Sequence, residues 1–123
     1  MRQAEKDVAH ARRALEDGDY EWACFAAQQG AEKAVKALLQ HLGVDAWGHS
    51  IAFLLAAIPD DLRPDPSVLD GAKELDRHYI PARYPDAHPA GAPLDFYTRA
   101  DAERAIGHAE RIMEYVRGRL ATP

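Results

Sequence analysis

Arg83 and His88 stand five positions apart in the stretch Tyr79-Ile-Pro-Ala-Arg-Tyr-Pro-Asp-Ala-His88, and the two side-chain types together suit work on a phosphodiester. An imidazole titrating near neutrality can take the proton from a ribose 2′-hydroxyl or return one to the leaving oxygen. A guanidinium can grip the phosphate with two parallel hydrogen bonds and offset charge that develops in the transition state. The spacing alone carries little weight. Eleven arginines and six histidines in 123 residues give, at three permitted gap lengths, about 1.6 matches by chance. The surroundings have to carry the argument.

Around the pair, Tyr79, Tyr84 and Tyr97 can stack on a base while Arg83 holds its phosphate, as aromatic platforms do in single-strand binders; lids over an apolar core are the commoner fate of such tyrosines. Arg77, Tyr79, Arg83, Tyr84 and Asp86 form the candidate set for nucleotide or phosphate binding, with Arg83 and His88 as the catalytic candidates. The plainer alternative pairs Arg83 with Asp86 or Asp76 and leaves His88 solvated. His49 precedes a helix start, a position that more often makes a capping or core hydrogen bond than it does chemistry. Glu32, Lys33, Lys36 and Gln29 read as one polar face of a long helix, solvated or part of a dimer surface. The six histidines include no pair four apart on one helix and no His-Glu-x-x-His, so no metal site is assigned, and no cofactor. There is no phosphate-cradling glycine run and no Gly-x-Ser-x-Gly elbow.

The bulk properties limit the partners. A formal net charge of −5 argues against a protein that coats nucleic acid through many neutralised phosphates, so any nucleic-acid site is small and local. Apolar residues at 47% and charged residues at 28% fit one soluble globular domain over residues 1–123. The single Cys24 lies in an apolar helical pattern and reads as a small core residue. No apolar run reaches the roughly 20 residues that span a bilayer and the N-terminus has no signal-peptide core, so a cytoplasmic protein is expected.

Helical periodicity supplies the elements that must position the pair. Ala4, Val8, Ala11 and Leu15 predict a helix over about Arg2 to Glu16, stopped by Gly18. Asp19 caps a second helix, Tyr20 to His41, rich in small residues that let helices approach closely and ended by Gly43. Ser50 caps a short apolar helix from Ile51 to Ile58, expected to be buried between its neighbours. Asp65 as cap and Pro66 at the first helical position open a fourth, to about Tyr79, with Val68, Leu69, Ala72, Leu75 and Tyr79 on its buried face. Pro81, Pro85, Pro89 and Pro93 then forbid a continuous helix as far as Tyr97. Thr98 and Asp101 form a capping-box-like start for a last helix to about Leu120, with Ala102, Ile106, Ala109, Met113, Val116 and Leu120 as its core stripe. The expectation is an all-α, up-and-down bundle of five helices with a proline-rich loop between the last two.

The helix Trp22-Ala-Cys-Phe-Ala-Ala-Gln-Gln-Gly-Ala-Glu-Lys-Ala-Val-Lys-Ala-Leu38 resembles the second helix of HEPN domains, the higher-eukaryote and prokaryote nucleotide-binding family. His49-Ser50, the run from Leu75 through Asp76-Arg77-His78-Tyr79 to Ala87, and Tyr97-Thr-Arg-Ala-Asp-Ala102 follow in the order of the stand-alone prokaryotic branch. The resemblance covers about Ala4 to Leu120. It implies a helical bundle that pairs as a homodimer, is frequently encoded beside an MNT-type nucleotidyltransferase in a toxin-antitoxin-like module, and in several branches acts as a ribonuclease. The ribonuclease motif is an arginine followed after four to six residues by a histidine, which Arg83 and His88 match. The implied reaction is metal-independent, leaving a 2′,3′-cyclic phosphate and a free 5′-hydroxyl. Tyr84 stands where active members often carry a polar residue, and Ala90 where the toxin branch has the tyrosine that its transferase modifies with AMP. The alternative is a non-catalytic helical module that docks the transferase.

Overall fold

In the computed structural model, which describes residues 1–79 and 96–121, the chain forms α1 (Arg2–Glu16), α2 (Tyr20–His41), α3 (Ile51–Ala56), α4 (Pro66–Asp76) and α5 (Arg99–Leu120), with a 3-10 turn at Asp60–Leu62. There is no strand among the described residues, and the all-α bundle is as expected. The bounds of α1, α2 and α5 are those that the periodicity predicts.

The centre of the bundle is α2, packed between α1 and α5; α4 leans on α5, and α3 on α4. Val35, Leu38, Leu39, Leu54, Leu55, Leu75, Ile112 and Val116 are fully buried, each large aliphatic contributing about 1.5–3 kcal/mol on burial. Close approach of α1 to α2 depends on Gly30. A Cβ there would stand 2.9 Å from Val8 Cγ2 and 3.1 Å from the Ala4 carbonyl oxygen. Gly43 closes α2 in the left-handed region at φ +72°, which is the conformation that favours glycine just past a helix end.

The caps follow the sequence with one exception. The Ser50 side chain accepts from Phe53 N, Asp65 accepts from Ser67 N and Val68 N, and Thr98 and Asp101 make a reciprocal capping box. Asp19 occupies the N-cap position of α2, but its side chain makes no capping bond; its own amide donates to the Ala14 carbonyl at the end of α1.

Several other readings are corrected. In α1 the fourth buried position is Ala14, with Leu15 only partly buried; at the far end of α5 Leu120 is likewise partly buried, while Ala105 and Ile112 join the core. In α3 only one side is covered: Ile51, Leu54 and Leu55 are buried, and Phe53 is 69% exposed. The helix ends at Ala56 because Ala57 N and Ile58 N bond to the carbonyls of Leu54 and Leu55, three residues back, which tightens the last turn. The same happens beyond Asp76. The amides of Arg77, His78 and Tyr79 donate to the carbonyls of Glu74, Leu75 and Asp76, so α4 stops three residues before Tyr79.

Candidate functional site

Arg83, Tyr84, Asp86 and His88, and the loop expected around them, lie outside the described residues. The chain leaves the described bundle after Arg77, His78 and Tyr79 at the end of α4 and re-enters it at Phe96 and Tyr97 ahead of α5. Two constellations surround these flanking residues.

The first is built on α2. Glu32 is only 5% exposed, and Gln28, one turn earlier, is fully buried. An isolated carboxylate at such depth would be costly, and it is tolerated here because it is surrounded by donors. Gln28 Nε2 donates to Glu32 Oε1 at 3.1 Å, Lys36 Nζ donates to Oε2 at 2.9 Å, and His49 Nδ1 lies 3.1 Å from the same Oε2. Gln28 Nε2 also donates to the His49 carbonyl at 3.1 Å, which ties the backbone before α3 to α2. The His49 ring lies flat on Tyr79, with centroids 4.5 Å apart and planes 13° from parallel. Its side chain remains 52% exposed.

This corrects, at Glu32, the reading of Glu32, Lys33, Lys36 and Gln29 as one polar face, solvated or part of a dimer surface. Glu32 faces inward, and Lys33 reaches Asp7 of α1 at 2.6 Å. The sequence did hold a signal: Cys24, Gln28, Val35 and Leu39 run along one stripe at helical spacing, and Glu32 sits within it. Polar residues in register with an apolar stripe belong to a buried network, because unpaired they would not be tolerated there.

Asp76 locks α3 to α4. Its Oδ1 accepts from Ile51 N at 2.6 Å, and its Oδ2 accepts from Ala52 N at 3.1 Å and from Ser50 Oγ at 2.9 Å. The carboxylate that the sequence offers as a partner for Arg83 thus serves as a second cap for α3. Negative charge at a helix N-terminus also complements its dipole.

The second constellation is an open groove of about 340 Å³ lined by Glu74, Arg77, His78, Phe96, Tyr97, Asp101 and Arg104. Arg104 bridges Glu74 Oε1 at 2.8 Å and Asp101 Oδ1 at 3.2 Å. The Arg104 bond holds the Glu74 carboxyl below the usual range, and the Thr98 amide does the same for Asp101. Behind them, Arg111 Nη2 approaches His108 Nδ1 at 2.7 Å while His108 Nε2 faces Glu74 Oε2 at 3.1 Å. Since a guanidinium only donates, Nδ1 must accept, and Nε2 carries the proton toward Glu74. His78 packs on Tyr97 at 5.7 Å, and burial pushes its pKa down. Arg77 is exposed at the rim and has no ion-pair partner among the described residues.

Of the binding residues expected from the sequence, Arg77 therefore lines the groove, whereas Tyr79 packs on His49. Among the described residues no three His, Cys, Asp or Glu side chains converge to hold a metal ion, and no helix is long and apolar enough to cross a membrane.

Comparison with known proteins fits this architecture. The structure of TT1696 from Thermus thermophilus superposes with a TM-score of 0.88 at 49% identity, covering 96% of this chain and 93% of that one. ST0689, described as an archaeal HEPN homologue, gives 0.81 at 46% identity over 95% and 91%. A HEPN domain protein of Thermotoga maritima gives 0.78 at 39% identity over 98% and 95%. In sequence, the chain is 26% identical over 126 residues to a Methanocaldococcus jannaschii protein named "Putative toxin MJ1304", across 95% of this chain and 83% of the other. The family model for the HEPN domain matches residues 1–119, and the chain belongs to the HEPN family.

Proposed function

We propose that this HEPN protein recognises a nucleotide or RNA phosphate through the Arg83 to His88 segment and cleaves single-stranded RNA there without a metal, as the toxin-like half of a module with a nucleotidyltransferase. The observation that carries the reading is the composition of the flanks: Arg77, His78 and Tyr79 on one side and Phe96 and Tyr97 on the other bring a guanidinium, an imidazole and three aromatic rings to the two ends of the segment that holds Arg83 and His88. The similarity to the protein named "Putative toxin MJ1304" points the same way. Arg83 would hold the phosphate, Tyr84 and Asp86 would complete the binding set with Arg77, and His88 would move the proton between the ribose 2′-oxygen and the leaving 5′-oxygen. A homodimer would bring two copies of the segment about a two-fold axis.

His88→Ala is expected to abolish cleavage of single-stranded RNA while circular dichroism and sedimentation remain those of the wild type. Arg83→Ala is expected to weaken binding by about 1.5–3 kcal/mol, the scale of a hydrogen bond to a charged group. Unchanged cleavage by His88→Ala would remove that residue from the mechanism. A second reading, a non-catalytic module that docks the transferase, draws on Trp47 and Phe53, which are 84% and 69% exposed. Wild type that cleaves no RNA yet binds such a partner would favour it.

A further inference from the structure

Cleavage of RNA by its own 2′-hydroxyl needs two proton transfers. One group accepts the 2′-hydroxyl proton as the 2′-oxygen bonds to phosphorus. Another donates a proton to the 5′-oxygen as the phosphorus to 5′-oxygen bond breaks. The products are a 2′,3′-cyclic phosphate and a 5′-hydroxyl; the two groups end with their protonation states exchanged, and solvent resets them. The motif histidine supplies one such group.

We propose that His49, oriented by the buried Glu32 carboxylate and packed on Tyr79, is a second proton-transfer residue of this protein and acts on a phosphodiester through Nε2. Glu32 occupies Nδ1 at 3.1 Å, which fixes the ring's orientation and makes Nδ1 the donor. Glu32 is itself held by Gln28 and Lys36, so the ring rests on a rigid base within the core. No described residue bonds to Nε2, and the side chain is half exposed. A buried carboxylate behind an exposed imidazole is an arrangement that holds an imidazole in one tautomer for proton exchange. Among the described residues, the charged and titratable groups that face the ring are Glu32 of α2, whose carboxylate Lys36 shares, and Tyr79 beyond α4; Asp76 grips the amides of Ile51 and Ala52 that follow.

The other histidines of this end of the bundle are unsuited. His108 is engaged at both ring nitrogens, and His78 is packed on Tyr97 where burial favours its neutral form. His49 contacts Tyr79, which stands four positions before Arg83 in the sequence.

The inference rests on reading that segment as a phosphodiester site, and the experiment separates the two. Single-turnover cleavage of a labelled single-stranded RNA is compared for wild type, His88→Ala, His49→Ala and Glu32→Gln. His49→Ala should slow cleavage about 10²–10⁴-fold, the usual scale of general acid–base catalysis, and added imidazole should restore about tenfold or more of that loss by entering the space left on Tyr79. A structural role would give no rescue. His49→Ala cleaving within about threefold of wild type, or a loss that imidazole leaves unchanged, overturns the role of His49 while leaving that of His88 intact. Should wild type cleave nothing, the ribonuclease reading falls and proton transfer by His49 falls with it, and a binding measurement decides whether its Nε2 meets a phosphodiester. A single-stranded DNA oligonucleotide, which lacks the attacking hydroxyl, is titrated into isotope-labelled protein. Movement of the His49 Nε2 resonance supports contact with a phosphodiester, and an unmoved resonance overturns it.

Discussion

The Cys24 thiol is fully buried, and loss of hydration, with a smaller contribution from Asp101, pushes its pKa from the ordinary 9.0 up to about 12. Since the thiolate is the reactive species, the folded protein is expected to resist alkylation by iodoacetamide at about pH 8 and to react promptly once unfolded in guanidinium. Mass spectrometry of both samples checks this, and full labelling of the native protein would show that the thiol is accessible. The core role of Cys24 is legible in the sequence, because the residue sits in an apolar stripe and a small buried thiol needs no partner. Glu32 is the opposite case. Its charge favours the solvent reading in any count of residue types, and only the donors that α2 and the His49 segment bring to it make the buried position tolerable. His49 sits before α3 as the sequence indicates, but its stacking on Tyr79 joins residues 30 positions apart and leaves no trace in local spacing.

Among the elements, α1 and α2 meet most closely at Gly30. Gly30→Ala should gain roughly 1 kcal/mol of helix propensity, but its new Cβ would stand 2.9 Å from Val8 Cγ2 and 3.1 Å from the Ala4 carbonyl oxygen, and a backbone atom cannot rotate away. The two helices must separate, so the net expectation is a loss of about 1–3 kcal/mol, the usual cost of overpacking, read from the urea midpoint at unchanged slope. A variant as stable as wild type would mean that α1 shifts over α2 at little cost. Helix existence was legible because apolar stripes run along the helices, Gly18 and Gly43 follow α1 and α2 in the left-handed region, and side-chain caps open α3, α4 and α5. The ends of α3 and α4 were not, since the choice between a bond to the fourth residue back and one to the third is made by geometry. For α4 that geometry includes Asp76, whose carboxylate reaches across to the amides of α3.

For the molecule as a whole, stability should fall in two stages on acidification. Burial holds the folded-state pKa of His78 below its ordinary 6.5, so the unfolded chain binds more protons in that window. The contribution is fully present above about pH 6.5 and is lost as pH falls through that value toward the folded pKa. Glu74, held down chiefly by Arg104, and Asp101, held down chiefly by the Thr98 amide, act lower. Their contribution is present above their ordinary 4.5 and 3.8 and disappears as pH falls through their folded values. Thermal melts across this range should show both stages, and His78→Gln should remove the first alone; a first stage that persists in that variant would assign it to another group. The same scale gives the bundle a particular history. Helix α2 is enclosed only when α1 and α5 lie on either side of it, and α5 also meets α1 through the pairs Glu5 with Arg117 and Arg12 with Glu110, which join residues 112 and 98 positions apart. On a ribosome that emits the chain from its N-terminus, α5 emerges after α1 to α4. Until then the apolar side of α2 has half its cover, so the bundle closes after α5 has left the exit tunnel, and interrupted synthesis yields an open chain that the cell can degrade.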